Sequence, residues 1–243
     1  MKLAMFSDPH GDLPIFEDRV NVVGVAGDIF PLEIQKSPIK SITWFNREFV
    51  PWAMGLNCDK VIFCAGNHDF ALQWITDNYF RNRLIDINKD YIEECAADIV
   101  KDQLMLPKKI VYLQDSEFSY NHVKFYGTPW CPDLSNWAFY KNHEDLEKAF
   151  AKIPDDCDVL ITHAPGTEND MGTSLWHSWK PEYGCKELTD RVKQTGIRLW
   201  CAGHVHTGNH HEGLLSNGIT RIYNVSVKDE DYIVRWEPTI IEI

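Results

Sequence analysis

Long apolar runs are missing from this 243-residue sequence. No stretch approaches the roughly 18 residues that a membrane-crossing helix needs. The N-terminal apolar patch stops after Phe6, short of the about 7–15 residues of a signal-peptide core. A cytoplasmic location with no membrane partner is therefore expected. Paired cysteines are missing too. The seven cysteines, at positions 58, 64, 95, 131, 157, 185 and 201, are scattered without a C-x-x-C spacing. That argues against a disulfide framework and against a thiolate zinc knuckle. Cys64 and Cys201 lie in apolar runs and read as buried, inert thiols. Positive charge is scarce: 24 Lys and Arg face 36 Asp and Glu, a net charge of −12 with no Lys/Arg run. Such a surface repels polyanions, so long nucleic acid is a disfavoured partner. Repeats, low-complexity segments and Pro/Gly/Ser linkers are absent, and a single domain over 1–243 is expected. No feature sets an oligomeric state.

What is present looks folded. Hydrophobic residues make up 44% and charged residues 25%, a balance unlike that of a disordered chain. Short β-branched or apolar runs ending in polar or Gly/Pro turns predict strands at Leu3–Phe6, Val22–Ala26, Lys60–Ala65, Ile110–Leu113, Val123–Tyr126, Val159–Thr162 and Leu199–Ala202. Arg221–Val227, Tyr232–Trp236 and Ile240–Ile243 predict a β-rich end. Between them, "SPIKSITWFNREFVPWAM" carries apolar residues at helical spacing. "NHEDLEKAFAKI" opens on an N-cap at Asn142, and "CKELTDRVKQTG" stops at Gly196. Residues 70–107 read as helix-rich. The class is α/β.

Chemistry collects where the strand-like runs end. The first delivers Asp8 and His10, the second Gly27-Asp28, and the third Gly66-Asn67-His68-Asp69. Val159–Thr162 is followed by His163, and Leu199–Ala202 by Gly203-His204-Val205-His206. In an α/β sheet such loops converge beyond the carboxyl ends of the strands. The ligand set of two Asp, one Asn and four His, with no Cys, suits borderline-to-hard divalent ions such as Mn²⁺, Fe²⁺ or Zn²⁺. Seven ligands exceed what one tetrahedral zinc uses, and an Asp bridging two ions about 3.5–4 Å apart divides them sensibly. Each piece alone also has a plainer reading, such as a solvated turn or a turn chosen for its backbone geometry. Together, in this order, they predict two metals. Asp69 could orient His68 or serve as a turn or helix-cap carboxylate; Asp12 could hold a ligand histidine or be a turn residue.

The series "DPH", "GD", "GNHD", "THAP" and "GHVH" resembles the metallophosphoesterase (calcineurin-like phosphoesterase) superfamily over Asp8 to His206. "YGTPWCPDLSNWAFY", "GCKELTDRVKQTGIRLWCAGHVHTG" and the ending "YNVSV…EPTIIEI" bring it closest to the brain-239-type metallophosphodiesterases. The resemblance implies a four-layer αββα sandwich of two mixed sheets flanked by helices. It implies that Asp8, His10 and His206 bind one divalent metal ion and Asn67, His163 and His204 a second. Asp28 would bridge the two, and His68 would face the leaving-group oxygen. Mn²⁺ is favoured, with Fe, Zn, Ni or Mg as alternatives. The expected reaction is hydrolysis of a small phosphodiester, such as a cyclic nucleotide, by hydroxide bridging the metals, with Asp28 and His68 as the catalytic pair. A phosphomonoesterase, protein phosphatase or nuclease of the superfamily is the alternative, as is a silent binding scaffold. "GDIFPLE" lacks the Asp-Arg of the phosphatase "GDxxDRG" motif.

Other residues are weaker candidates. Asn67, His68 and Trp130 are candidate substrate contacts; the aromatic segment that holds Trp130, Trp137, Phe139 and Tyr140 could wall the site and stack a nucleobase or simply pack over the core. His210 and His211 read as exposed loop histidines, and Lys180 as a candidate phosphate contact. Pro9 is expected to push Asp8 toward extended geometry and stiffen the ligand pair.

Overall fold

The computed structural model describes residues 1–15, 17–77, 104, 106–179 and 181–243. Four of its strands run parallel: β1 (Lys2–Phe6), β2 (Val22–Ala26), β3 (Lys60–Cys64) and β4 (Ile110–Tyr112). A second sheet holds β5 (Ser116–Tyr120), β6 (Val123–Thr128), β7 (Val159–Thr162), β8 (Leu199–Ala202), β9 (Gly213–Leu214) and β10 (Arg221–Asn224). Finally β11 (Thr239–Glu242) returns to the first sheet, antiparallel to β1. Among the described residues the strand orders are β11-β1-β2-β3-β4 and β5-β6-β7-β8-β10-β9.

The central strands are apolar on both faces because both faces are covered. Leu3, Met5, Val22 and Ile62 of the first sheet pack against Phe125, Val159, Ile161, Leu199 and Cys201 of the second. The other faces carry helices. On one side α1 (Pro38–Trp44), a π-helical turn (Phe45–Phe49) and α2 (Val50–Gly55) run on continuously. Pro51 in this run has no amide to donate to the carbonyl of residue 47, so the wider turn falls where an ordinary helical bond is lost. Phe45 and Phe49 stack at 4.6 Å and meet Phe63 of β3. The short helix α3 (Phe70–Thr76) follows the β3 loop. On the other side α4 (His143–Phe150) and α5 (Lys186–Lys193) bury Leu146, Leu188 and Val192. The α4 N-cap is Asn142, whose side chain accepts from the Asp145 amide. The layers are thus helix, sheet, sheet, helix, the expected αββα sandwich.

The strands differ from expectation in places that matter for the site. Arg221–Val227 keeps its ladder only to Asn224, and Ser226 then makes an isolated bridge with Ser7. Tyr232–Trp236 is not a strand of either sheet. Asp229 draws this stretch into a tight loop: its Oδ1 accepts from the amides of Asp231 and Ile233, and its Oδ2 from Arg235 Nε. The two edge strands β5 and β9 escaped the hydrophobic pattern because β5 is polar and half-exposed and β9 has two residues. Of the stretch expected to be helix-rich, Phe70–Thr76 is helical, and positions 78–103 lie outside the described residues. No helix among the described residues is long and apolar enough to cross a membrane.

Ile161 lies fully buried between the sheets. Ile161→Ala is expected to destabilise the fold by about 2–5 kcal/mol, read from the midpoint of urea unfolding.

Candidate metal centre

All the parallel strands that carry motifs point their carboxyl ends toward the same side, so their following loops meet. From the first sheet come Asp8 and His10 after β1, Asp28 after β2, and Asn67 and His68 after β3. From the second come His163 after β7 and His204 and His206 after β8. The structure brings seven of these eight residues into four groups of potential metal ligands: Asp8, His10 and His206; His10, Asp28 and His68; Asp8, Asp28 and His163; and His163 and His204 with Cys131, a residue outside the motifs. Asp8 and Asp28 each belong to two groups.

The turns that aim these side chains are strained. Asp8, His10, Asp28 and His204 have φ of 56°, 42°, 54° and 70°. Each is a non-glycine residue in the left-handed region, at a cost of about 1–3 kcal/mol. The extended geometry expected for Asp8 ahead of Pro9 is therefore not adopted. The tight turn dominates instead, because the Asp8 amide bonds the Gly27 carbonyl (3.1 Å) and the His10 amide the Asp28 carbonyl (3.1 Å). Buried Pro9, between them, introduces no further N–H to be satisfied. Two motif glycines are required by close approach. A Cβ on Gly66 would overlap Asp28 Oδ1 and sit 2.7 Å from the His163 ring, and one on Gly203 would overlap Ser7 Oγ and Asp8 Oδ2.

The donors and acceptors show why this centre fits cations. His163 Nδ1 faces the Ala26 carbonyl at 2.8 Å, which leaves Nε2 to face Asn67 Oδ1 (2.9 Å) and Asp28 Oδ2 (3.2 Å). His206 repeats the pattern: Nδ1 on the Asp229 carbonyl at 2.8 Å, Nε2 3.5 Å from Asp8 Oδ1. Such backbone acceptors fix the ring orientation of metal-binding histidines. Both nitrogens of His10 are buried with no hydrogen-bond partner among the described residues. An orphaned ring donor costs about 1–3 kcal/mol, whereas a lone pair aimed at a cation is satisfied. Burial pulls His163 and His206 down, but Asp28 and Asp8 beside them prevail and raise both to about 9. Burial takes His10 and His204 down to about 3. Burial pushes Asp28 up, yet His163 and His68 hold it well below the usual carboxylate range. Two imidazolium protons thus balance two buried carboxylates until cations take over that role.

Several residues around the ligands were not legible as such. Ser226 Oγ donates to Asp8 Oδ2, and Ser7 Oγ to the Ala26 carbonyl at 2.7 Å. Ser226 lies in "YNVSV", which had served only as a likeness. Asp69 does not touch the His68 ring. Its carboxylate takes the amides of Ile29 (2.8 Å), Phe30 (3.2 Å) and Gly66 (2.8 Å), tying the β2 and β3 loops together. Burial, with Asp28 nearby, raises it to about 7. Gln35, from a loop with no motif, bonds His68 Nδ1 through its Oε1. Asp12 pairs with Lys228 at 2.7 Å and holds no ligand histidine.

Above the ligands is a cavity of about 220 Å³ lined by Asp28, Asn67, His68, His204, His206, Leu134, Trp137, Glu230 and Tyr232. Trp130 is not among them. It is buried, donates Nε1 to Asp115 and packs edge-on against Phe139, whereas Trp137 lies 4.4 Å from the His68 ring. Of these two aromatics it is Trp137 that faces the cavity, because the loop after β6 turns Trp130 inward. His210 stacks on Trp236 at 3.8 Å and bonds the His206 carbonyl, while His211 is exposed. Lys180 lies outside the described residues. Cys131, expected to play no part, lies in a group with His163 and His204.

The calcineurin-like phosphoesterase family model matches residues 1–208. The chain belongs to this family. It is 28% identical over 241 residues to metallophosphoesterase domain-containing protein 1 of Homo sapiens, covering 97% of this chain and 65% of that protein. A UPF0046 protein of Caenorhabditis elegans is 31% identical over 182 residues, 74% of this chain and 56% of that protein. The chain thus spans about two thirds, or less, of the length of these relatives. A solved crystal structure with 13% identity has a TM-score of 0.55 and covers 92% of this chain and 89% of its own, a likeness of fold. The family uses divalent metals, and the His/Asp groups above are able to hold them.

Because His163 and His206 are raised to about 9, metal binding near neutral pH is expected to release about two protons per chain from these two rings. The share of the release that comes from these two rings should vanish above about pH 9, where both are already neutral, and calorimetry in buffers of different ionisation enthalpy reads it. Gly66→Ala should cost about 10–100-fold in Mn²⁺ affinity, measured by metal titration, by displacing Asp28 and His163.

Proposed function

We propose that the chain is a metal-dependent phosphoesterase that hydrolyses a small phosphodiester, such as a cyclic nucleotide. The observation that carries this reading is the 220 Å³ cavity in which His68, Glu230 and the bridging candidate Asp28 face the same space. It is small, and Trp137 and Tyr232 wall it, which suits a compact ligand with a flat group. Its charge supports a diester. Ser174 Oγ (3.0 Å) and Thr207 Oγ1 (2.7 Å) donate to Glu230 Oε1, fixing a carboxylate at the wall. A phosphodiester brings one negative charge there and a phosphomonoester up to two, so the monoester is penalised.

Bound divalent ions would supply charge neutralisation of the phosphoryl oxygens and activation of water. Asp8, His10 and His206 would hold one and Asn67, His163 and His204 the other, with Asp28 shared; the nitrogen-and-oxygen set of the first suits Mn²⁺. His68 is the proton donor to the leaving oxygen. Its backbone amide bonds Asp28 Oδ1 at 2.8 Å and Gln35 holds its Nδ1, so Nε2 is aimed into the cavity. Burial lowers its pKa, which makes the imidazolium a stronger acid, and an anionic substrate opposite favours that charged form. Trp137 against the ring keeps water from its face. All six described cysteines are free thiols, in keeping with a reducing compartment such as the cytoplasm.

His68→Ala is expected to retain its metals and lose about 10²–10⁴-fold in turnover of a poor-leaving-group diester, with a smaller loss on a nitrophenyl ester. Asp28→Ala should lose both metal and turnover; equal losses on good and poor leaving groups would remove the proton-donor role. Comparing bis-p-nitrophenyl phosphate, p-nitrophenyl phosphate and 2′,3′- and 3′,5′-cyclic nucleotides with Mn²⁺ tests the substrate class. Glu230→Gln should raise monoester kcat/KM relative to diester by about tenfold, and a wild-type preference for monoesters would overturn the diester reading.

A further inference from the structure

We propose that Cys131 is a sulfur ligand of the metal position built on His163 and His204, making the two metal positions chemically unequal. The proposal rests on the dinuclear reading above and departs from it in the donor set, since that reading contains no thiol. The ligand atoms of Cys131, His163 and His204 all lie within 4.8 Å of one another. Cys131 is fully buried, and its backbone is held on both sides: its amide bonds the Phe139 carbonyl at 2.9 Å, and its carbonyl takes the Lys141 amide at 3.1 Å. The sulfur therefore has a fixed address at the end of β6, beside the ends of β7 and β8. Its nearest hydrogen-bond acceptor is the Pro129 carbonyl at 3.6 Å, a weak contact.

The neighbouring donors complete a recognisable set. His163 uses Nδ1 on the Ala26 carbonyl, so Nε2 is its ligand atom, and that atom lies 3.2 Å from Asp28 Oδ2. Sulfur, two imidazole nitrogens and one carboxylate oxygen are four donors of the kinds zinc takes tetrahedrally, and Asn67 Oδ1, 2.9 Å from His163 Nε2, is a fifth within reach. The other position, on Asp8, His10 and His206, offers only oxygen and nitrogen. A soft thiolate favours Zn²⁺, whereas carboxylate and imidazole also suit Mn²⁺. The thiol releases its proton to solvent on ligation, as any cysteine ligand does. The other five described cysteines belong to no such group. The chemistry assigned is a mixed centre, with a thiolate-held zinc on the His163/His204 side and a harder ion on the other.

The test begins with wild-type protein loaded with Co²⁺. A thiolate-to-cobalt charge-transfer band in the near ultraviolet, alongside the visible d–d bands, is expected, and Cys131→Ser should lose the first while keeping the second. Cys201→Ser, a buried thiol inside β8, should keep both. Zinc-edge X-ray absorption of wild-type protein should count one sulfur at about 2.3 Å, a readout that requires no variant to fold. On dialysis against excess Mn²⁺, wild type should retain one zinc per chain and Cys131→Ser none. Two bound cobalt ions with d–d bands and no charge-transfer band, or zinc without a sulfur neighbour, would overturn the thiolate assignment and leave the dinuclear reading standing. Failure to bind any cobalt or zinc would overturn both.

Discussion

Two carboxylates sealed from water set the terms for everything around them. Asp8 is 0% and Asp28 2% exposed, and unpaired charges at such depth cost several kcal/mol each. The surroundings answer with hydrogen bonds and positive charge. Asp8 receives Ser226 Oγ and the His204 amide, and Asp28 the His68 amide. His163 and His206 lie beside them with backbone carbonyls fixing their rings. A cluster so rich in acceptors is costly as a structural core and economical as a cation cage, which is why the same atoms serve poorly in one role and well in the other.

That electrostatic arrangement dictates the backbone. Delivering ligands from five separate strand ends into one small volume needs turns that reverse within a residue or two. Four candidate ligands consequently adopt positive φ, and Gly66 and Gly203 leave room where any side chain would meet a carboxylate. The strain is held by the two sheets, whose shared layer of Met5, Ile62, Phe125 and Ile161 fixes the spacing of the strand ends. Rigid sheets and strained tips are therefore two aspects of one design: the first makes the second possible.

The central strands and the ligand loops were legible because both follow local rules. A doubly covered parallel strand is a continuous apolar run, and Val22–Ala26, Val159–Thr162 and Leu199–Ala202 have the bounds that pattern predicts. Metal-type side chains right after such runs identify the crevice. What could not be read depends on distance in sequence. Gln35 meets His68 across 33 positions and Ser226 meets Asp8 across 218, with no periodicity to announce either pair. Tyr232–Trp236 looks like a strand by composition, but the Asp229 carboxylate takes the Ile233 amide and the Val227 carbonyl those of Arg235 and Trp236 before a ladder does. Trp130 and Trp137 stand in one aromatic segment, and only its folding decides which faces the cavity. The extended preference that Pro9 places on Asp8 yields because it is weaker than the pull of the β2 loop carbonyls.

The loop from Asp229 to Arg235 has a further consequence. Its Asp229 carboxylate accepts from three groups of the loop and the Asp229 carbonyl faces His206, while the Tyr232 ring packs edge-on against His10 (5.0 Å) and His206 (5.2 Å). Glu230 and Tyr232, which wall the cavity, are side chains between those anchors. Tyr232 therefore touches both the cavity and the candidate ligand rings, whereas Glu230 is held by Ser174 and Thr207. A change at Glu230 would alter the charge of the cavity wall with the candidate cage intact, whereas a change at Tyr232 would also unpack its histidines.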